Sequence, residues 1–317
     1  MFLCRFEAGE GVRLGARLDD ERLVDLCPAL VDLTGPSFDD PVIEFIQAGP
    51  AALDMAVDQI KDPPPDLVRP LADVRLLAPV EPPKMRNFSV YEGHVRNAVS
   101  AAIELRAGRA AAGLARLIKV AGPPRAWYRR PLYYKGNPTS VIGPDTDIVR
   151  PSYTRRLDYE LELAVVVGTS GRDLTVENAH EHVFGYTILN DVSARDVLAG
   201  ELLSRMGPAK GKDFDTGNVL GPWLATRDEI PDPRALTGEV RVNGRHRARC
   251  TTADMRYTIE QMLVEASRGE TLVPGEVIGT GCCTWGSGLE LKRFLQPGDV
   301  VELTLGPLGT LRNRVTA

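Results

Sequence analysis

The stretch L157-D-Y-E-L-E-L-A-V-V-V-G168 decides how this chain is read. Alternating acidic and apolar residues have the period of a β-strand, in which side chains at i and i+2 share a face about 6.6 Å apart. Asp158, Glu160 and Glu162 therefore project together, with Tyr159, Leu161 and Leu163 on the opposite side. One reading is a water-facing ridge on a strand with a single buried face. The run Ala164-Val165-Val166-Val167 is apolar on both faces, which favours a strand already interior near Glu162. Buried carboxylates need a cation or a proton. A hard divalent ion on carboxylate oxygens meets that need: magnesium, manganese or calcium rather than zinc, because no His or Cys joins the motif.

A second acidic motif follows thirty residues on, in G185-Y-T-I-L-N-D-V-S-A-R-D196. Its apolar run places Asp191 at a strand end with Arg195 close behind; taken alone, such an Asp is as often a simple turn residue. Around these two strands the chain reads as α+β with no βαβ rhythm. V12-R-L-G-A-R-L-D-D-E-R-L-V-D-L26 reads as strands turning at Asp19-Asp20, and Asp40–Gly49 and Ala51–Ile60 as two short helices. The prolines at 63–65, 70, 79, 82 and 83 set a boundary, giving a small N-terminal α+β domain over residues 1–75 and a larger domain over 76–317. Residues 91–120 are Ala-rich and helix-prone, with Gly108 and Gly113 as breaks. Further helices are expected from Thr175 through Val183 and over Met255–Ser267. The last fifty residues alternate short strands with Pro-Gly turns.

At 317 residues, with 43% hydrophobic and 26% charged residues, the chain can bury a sizeable core without staples. It has no long uncharged apolar run that would span a membrane, and its start, MFLCRFEAGEG, lacks the basic and apolar regions of a signal peptide. A cytoplasmic protein is the expectation. Five cysteines in odd number and without CxxC spacing read as reduced thiols, and neither Cys282 nor Cys283 has a His or basic residue nearby in sequence to activate it. A net charge of −5 disfavours nucleic acid as a partner. The charge is uneven: nine basic residues from Arg96 to Lys135 face one acid, Glu104, so that segment is +8 and the remainder −13. Residues 92–135 are thus either a solvated helix face or a basic, lid-like rim that draws in a small anion.

Four motifs, in order, resemble the fumarylacetoacetate hydrolase family: D158-Y-E-L-E-L-A-V-V-V-G, G185-Y-T-I-L-N-D-V-S-A-R-D, K212-D-F-D-T-G-N-V-L-G-P-W and G279-T-G-C-C-T-W-G-S-G-L-E-L291. The resemblance spans roughly residues 82–312. It implies a strand-rich, mixed β-roll-like catalytic domain, a homodimer, and one divalent ion (Mg2+ or Mn2+, with Ca2+ an option) on Glu160, Glu162 and Asp191, with Asp158 a bystander. It also implies His94 as general base, Glu290 as the acid that orients it, Lys212 near a developing oxyanion, and Arg195, Thr216 and Thr280 as substrate contacts. Three positions depart from the pattern. Asn87 stands where fumarylacetoacetase has a fourth metal carboxylate, Asn97 where short members carry a Glu paired with the His, and Leu198 where the family has Gln.

The expected activity is metal-dependent hydrolysis of a C–C bond in a β-diketone or acylpyruvate-type 2-oxo acid, a small anionic substrate. Decarboxylation of an oxaloacetate-type acid, isomerisation of a dienoate and dehydration of a sugar acid use the same enolate stabilisation and stay open. A protein that binds organic acids without turnover is the alternative of another class. His180 and His182, two apart on an expected helix, face different ways and suggest no metal site, and the glycine run 279–288 lacks the GxGxxG of a dinucleotide loop.

Overall fold

A computed structural model describes residues 1–9, 11–35, 40–118 and 121–317. The chain opens as a meander of β1 (Phe2–Ala8), β2 (Gly11–Arg17) and β3 (Arg22–Asp25). Asp19 makes the second turn by accepting from the N–H groups of Glu21 and Arg22 at 2.9 and 2.8 Å. Three helices follow, α1 (Cys27–Thr34), α2 (Pro41–Ala48) and α3 (Pro50–Lys61), each with a proline in its first turn, where a missing N–H leaves no bond unmade. The proline-rich stretch holds β4 (Val68–Pro70) and β5 (Arg75–Leu76), which extend β3 and β1, with a 3-10 turn over Leu71–Asp73 between them.

Next come β6 (Met85–Phe88) and α4 (Glu92–Leu117), a long helix kinked where Gly108 takes φ 85°; Gly113 stays helical. Lys119 of the basic segment lies outside the described residues. Short strands β7 (Tyr133–Lys135), β8 (Val141–Ile142), β9 (Ile148–Val149) and β10 (Leu157–Asp158) precede the central pair, β11 (Leu161–Val167) and β12 (Val183–Asp191). The remainder is β13 (Ser193–Ala194), α5 (Arg195–Ser204), β14 (Asn218–Thr226), β15 (Thr237–Val242), β16 (Arg245–Thr251), α6 (Ile259–Ser267), β17 (Val277–Gly279), α7 (Gly288–Leu291), β18 (Val300–Leu305) and β19 (Thr310–Thr316).

One mixed sheet runs β4-β3-β2-β1-β14-β12-β11-β17-β6-β7, and a second runs β16-β15-β18-β19-β9. The pairs β6–β17, β8–β14 and β9–β19 are parallel. All seven residues of β11 are buried. Its Leu161, Leu163, Val165 and Val167 share a core with Val240, Leu303 and Leu305 of the second sheet. Its Ala164 and Val166 share another with Leu30, Val42 and Phe45 of the N-terminal helices and with Leu3, Leu189 and Leu220. The acidic ridge therefore belongs to an interior strand, covered on both faces, and the α+β mixed-sheet class stands. All five cysteines are buried and free. Among the described residues no helix is long and apolar enough to cross a membrane.

Two local expectations fail for physical reasons. The helix expected from Thr175 is a single 3-10 turn over Ala179–His182, because Val183 already begins β12, and pairing with β11 and β14 satisfies that backbone better than one more helical turn. The last long helix starts at Ile259, not Met255: Thr258 and Gln261 close a capping box that fixes its beginning. The glycine run 279–288 leads into the one-turn helix α7, capped by Ser287.

Candidate metal centre

The central strands converge on one patch of charge. Glu162 lies at the start of β11 opposite Leu189, Asp191 ends β12 opposite Asn218 of β14, and Glu160 stands just before β11, bridged to Ser287. One oxygen from each of the three carboxylates lies within 4.8 Å of the others, and all three residues are buried. The floor is Gly279 of β17: a Cβ there would come within 2.7 Å of Asn87 Oδ1 and 2.8 Å of Glu162 Oε2, so only glycine lets the groups approach. Gly281, at φ 91°, donates its N–H to Glu162 Oε2 at 3.0 Å.

Two cations offset this charge. Lys212 Nζ donates to Glu160 Oε2 and Asp191 Oδ2, both at 2.5 Å. Arg195 donates through Nε to Asp158 Oδ2 at 2.7 Å and through Nη2 to Glu160 Oε1 at 2.5 Å. Burial works against the Glu160 charge, but Arg195 and Lys212 hold its carboxyl well below the usual range. Glu162 has no such partner: burial and the charges of Asp191 and Glu160 raise its carboxyl well above that range. Asn87 Nδ2 ties Glu162 Oε1 to Asp191 Oδ2 at 3.1 and 2.7 Å.

The residues present fit a hard divalent ion. Glu160, Glu162 and Asp191 present oxygens alone, and Asp191 Oδ1 and Asn87 Oδ1 are buried without a hydrogen-bond partner. With His94 and Glu290 counted as one neutralised pair, Asp158, Glu160, Glu162 and Asp191 outnumber Arg195 and Lys212 by two charges, which a dication would cancel.

His94, in the first turn of α4, stands at the edge of the cluster: its Nδ1 is 3.0 Å from Glu290 Oε2 and its Nε2 3.3 Å from Glu160 Oε1. Burial alone would lower the imidazole pKa, but the hydrogen bonds to Glu160 and Glu290 outweigh it and push it up to about 9. Glu290 is held in turn by Asn97 Nδ2 at 3.1 Å, the Trp285 N–H at 3.0 Å and the Ser287 hydroxyl at 3.1 Å. Asn97, which replaces a Glu, thus braces the acid that faces the histidine.

His94, Glu290, Lys212 and Arg195 therefore join the three carboxylates in one connected network. Thr280 is buried beside it, but its hydroxyl donates to the Leu163 carbonyl at 2.9 Å. The Thr216 hydroxyl accepts from the Val149 N–H at 2.9 Å, with no contact to the cluster among the described residues. Asp158 lies outside the three-carboxylate group but supports it, since it anchors Arg195 and accepts from the Leu289 N–H at 2.9 Å. Sequence reasoning missed Tyr134, whose hydroxyl donates to Asp191 Oδ2 at 2.7 Å, and Asn190, which accepts from the Glu160 N–H at 3.0 Å. Alternation along Tyr133-Tyr134-Lys135 puts Tyr134 on the Asn87 face, a signal too short to stand alone. In the basic segment, Arg96 is paired with Glu92 and Arg130 with Glu265.

Residues 102–316 match the family profile described as fumarylacetoacetate (FAA) hydrolase C-terminal. The chain is 39% identical over 188 residues to the oxaloacetate tautomerase YisK of Bacillus subtilis (strain 168), a match covering 58% of this chain and 61% of that protein. The chain thus spans about three fifths of the length of that relative. It is 31% identical over 294 residues to the mitochondrial oxaloacetate tautomerase FAHD2A of Bos taurus, covering 90% of this chain and 83% of the relative. A fumarylacetoacetate hydrolase from psychrophilic Exiguobacterium antarcticum superposes with a TM-score of 0.75 at 32% identity, over 100% of this chain and 99% of that one. A maleylpyruvate hydrolase from Sphingobium sp. SYK-6, in complex with manganese(II) and pyruvate, gives 0.75 at 26% identity over the same shares. By the four ordered motifs, the mixed sheets and these matches, the chain belongs to the fumarylacetoacetate hydrolase family.

Proposed function

We propose that the protein is a divalent-cation-dependent tautomerase of an oxaloacetate-type 2-oxo diacid, with Glu160, Glu162 and Asp191 holding Mg2+ or Mn2+. The observation that carries this reading is His94, set between the orienting carboxylate of Glu290 at 3.0 Å and the edge of the carboxylate cluster. Two tautomerase relatives, one aligned over 90% of this chain, support it. The cation, when bound, supplies Lewis-acid charge to a 2-oxo group.

The chain's own residues then move the proton. Glu290 keeps His94 Nδ1 protonated, so Nε2 is the atom that carries the proton between carbon and oxygen: in ketonisation it gives its proton to the carbon next to the ketone and takes the enol O–H proton in return. Lys212 offsets the negative charge that develops on the oxygen. Arg195, neutralised by Asp158, keeps the Glu160 side of the site charged, and Thr280 and Thr216 are assigned to the substrate's polar rim. Basic residues of the 92–135 segment that are not paired within the chain would receive the second carboxylate. Exposed Leu117 and Ile118 at the end of α4, and Leu203 and Met206 near the end of α5, support a homodimer, which light scattering would test.

The test is the ultraviolet absorbance of enol-oxaloacetate as it ketonises. Enzyme with Mg2+ should accelerate the decay over the spontaneous rate, while chelated enzyme and His94→Gln should not; equal decay in all samples would refute the reading. C–C hydrolysis of an acylpyruvate is the second reading, favoured by the full-length likeness to the Exiguobacterium hydrolase. Release of pyruvate from an acylpyruvate, read by a coupled dehydrogenase, would select it.

A further inference from the structure

We propose that His94, Cys282 and Glu160 form a second metal site, one that takes a thiophilic divalent cation of the zinc type and thereby silences His94. The silencing rests on the acid–base role given to His94 above; the binding does not. A ring nitrogen of His94, the sulfur of Cys282 and a carboxylate oxygen of Glu160 all lie within 4.8 Å of one another. Four-coordinate zinc, with bonds of about 2.0 to 2.3 Å, spaces its ligand atoms about 3.3 to 3.7 Å apart, so His94 Nε2 and Glu160 Oε1, 3.3 Å apart, already stand at that spacing.

The donor set separates this site from the carboxylate cluster. Nitrogen, oxygen and thiolate together favour zinc over magnesium, whereas Glu160, Glu162 and Asp191 offer oxygen only. The support behind His94 is that of a metal ligand. Its Nδ1 faces the Glu290 carboxylate at 3.0 Å, and Asn97, Trp285 and Ser287 hold that carboxylate still. A carboxylate behind a histidine fixes the ring and leaves the other nitrogen to the metal. The Cys282 S–H donates a weak hydrogen bond to the Cys283 carbonyl at 3.3 Å, and a binding cation would release that proton and free the sulfur as thiolate. The obstacle is Arg195, 2.5 Å from Glu160 Oε1. It keeps Asp158 as a second partner at 2.7 Å, so it stays neutralised when Glu160 turns to a cation. Glu160 serves both sites, and a cation on His94 Nε2 occupies the atom that must carry the proton.

Cobalt(II) is the probe, because a thiolate ligand gives it a near-ultraviolet charge-transfer band. Full-length protein held in excess Mg2+ should develop that band on titration with Co2+. The band should persist in Cys283→Ser and vanish in Cys282→Ser, and weaken in His94→Gln. Zinc should inhibit the Mg2+-supported reaction, with the inhibitory concentration raised at least about tenfold in Cys282→Ser. A cobalt complex without the band, or a band that survives Cys282→Ser, overturns the site. A band with no zinc inhibition of an active enzyme overturns the silencing. Should the protein turn over no oxo acid at all, the tautomerase reading fails while the band still reports on the site. If Cys282→Ser does not fold, the presence or absence of the band in wild type and its response to His94→Gln decide the matter.

Discussion

Replacing Glu290 by Gln tests the acid–base assignment with little change in volume. Glu290 Oε2 faces His94 Nδ1 at 3.0 Å and accepts from the Ser287 hydroxyl at 3.1 Å, while Oε1 accepts from Asn97 Nδ2 at 3.1 Å and the Trp285 N–H at 3.0 Å. The amide of Gln must point its NH2 at one of these groups. Toward Trp285 it strands a backbone N–H that cannot turn away, at a cost of about 1–3 kcal/mol. Toward His94 it makes Nδ1 the acceptor and moves the ring proton to Nε2, the wrong tautomer for a base, a change that costs on the order of 10³ to 10⁴ in turnover. Turning toward His94 keeps the Trp285 N–H bonded, so the expected result is a turnover lower by about 10³, an unfolding free energy lower by about 1 kcal/mol, and Mg2+ affinity within about threefold of wild type. Enol-oxaloacetate decay at saturating Mg2+, urea denaturation and calorimetric titration of the metal read the three quantities. Turnover within about tenfold of wild type at unchanged metal affinity would mean that His94 does not depend on Glu290.

Asn87→Asp adds a fourth carboxylate beside Glu162 and Asp191, so the metal-free melting temperature should fall while Mn2+ affinity rises about tenfold or more; equal affinity by calorimetry would remove Asn87 from the metal's surroundings. Gly279→Ala should cost about 1–3 kcal/mol in urea and weaken Mn2+ binding, because its methyl meets Glu162 and Asn87; a wild-type titration would show that the floor can give. Arg86→Met strips the cation from Glu276, a fully buried acid, and should cost about 3–5 kcal/mol, a figure that a loss under about 1 kcal/mol would contradict. The Arg86 hydrogen bond holds the Glu270 carboxyl down at about 2 against an ordinary 4.5, so its contribution is complete above pH 4.5 and lost as the pH falls through 2. Glu270 is a third exposed, so solvent screening cuts this to about 1 kcal/mol, and Glu270→Gln should flatten acid unfolding by that much; an acid-unfolding profile identical to wild type would contradict it.

Much of the site was legible because strand periodicity is local. Asp158, Glu160 and Glu162 share a spacing that puts them on one side, and the apolar run after them announces burial before any fold is known. His94, Glu290 and Lys212 entered through resemblance, since no periodicity links a helix start at 94 to a one-turn helix near 290. Cys282 shows the limit. Its distance in sequence from His94 hid the contact, and only the pairing of β6 with β17 and the return of the chain to β11 bring them together. The false helix after Thr175 arose from a helix-like pattern over a few residues that sheet pairing overrode. The short α1, missed altogether, has too few turns for a periodic signal.

The ridge that opens the sequence does more than bind charge. Its members sit two residues apart, so strand geometry gives them one side but different neighbours. Glu162 reaches inward to Asn87 and the Gly281 N–H, Glu160 stands between Lys212 and Arg195, and Asp158 faces the far end of the site. There Asp158 accepts from the N–H of Leu289, in the first turn of α7, where the unpaired N–H groups of a helix favour an anion. Gly288 lets it come so close, for a Cβ at that position would lie 2.4 Å from Asp158 Oδ1. Since α7 carries Glu290, the acid at the start of the ridge fixes the helix that orients His94, while the next two acids hold the cluster His94 serves. A strand facing water has no use for that division of labour. Three buried carboxylates are costly to a fold, several kcal/mol each before compensation, and here each one is bound to a different part of the same chemistry.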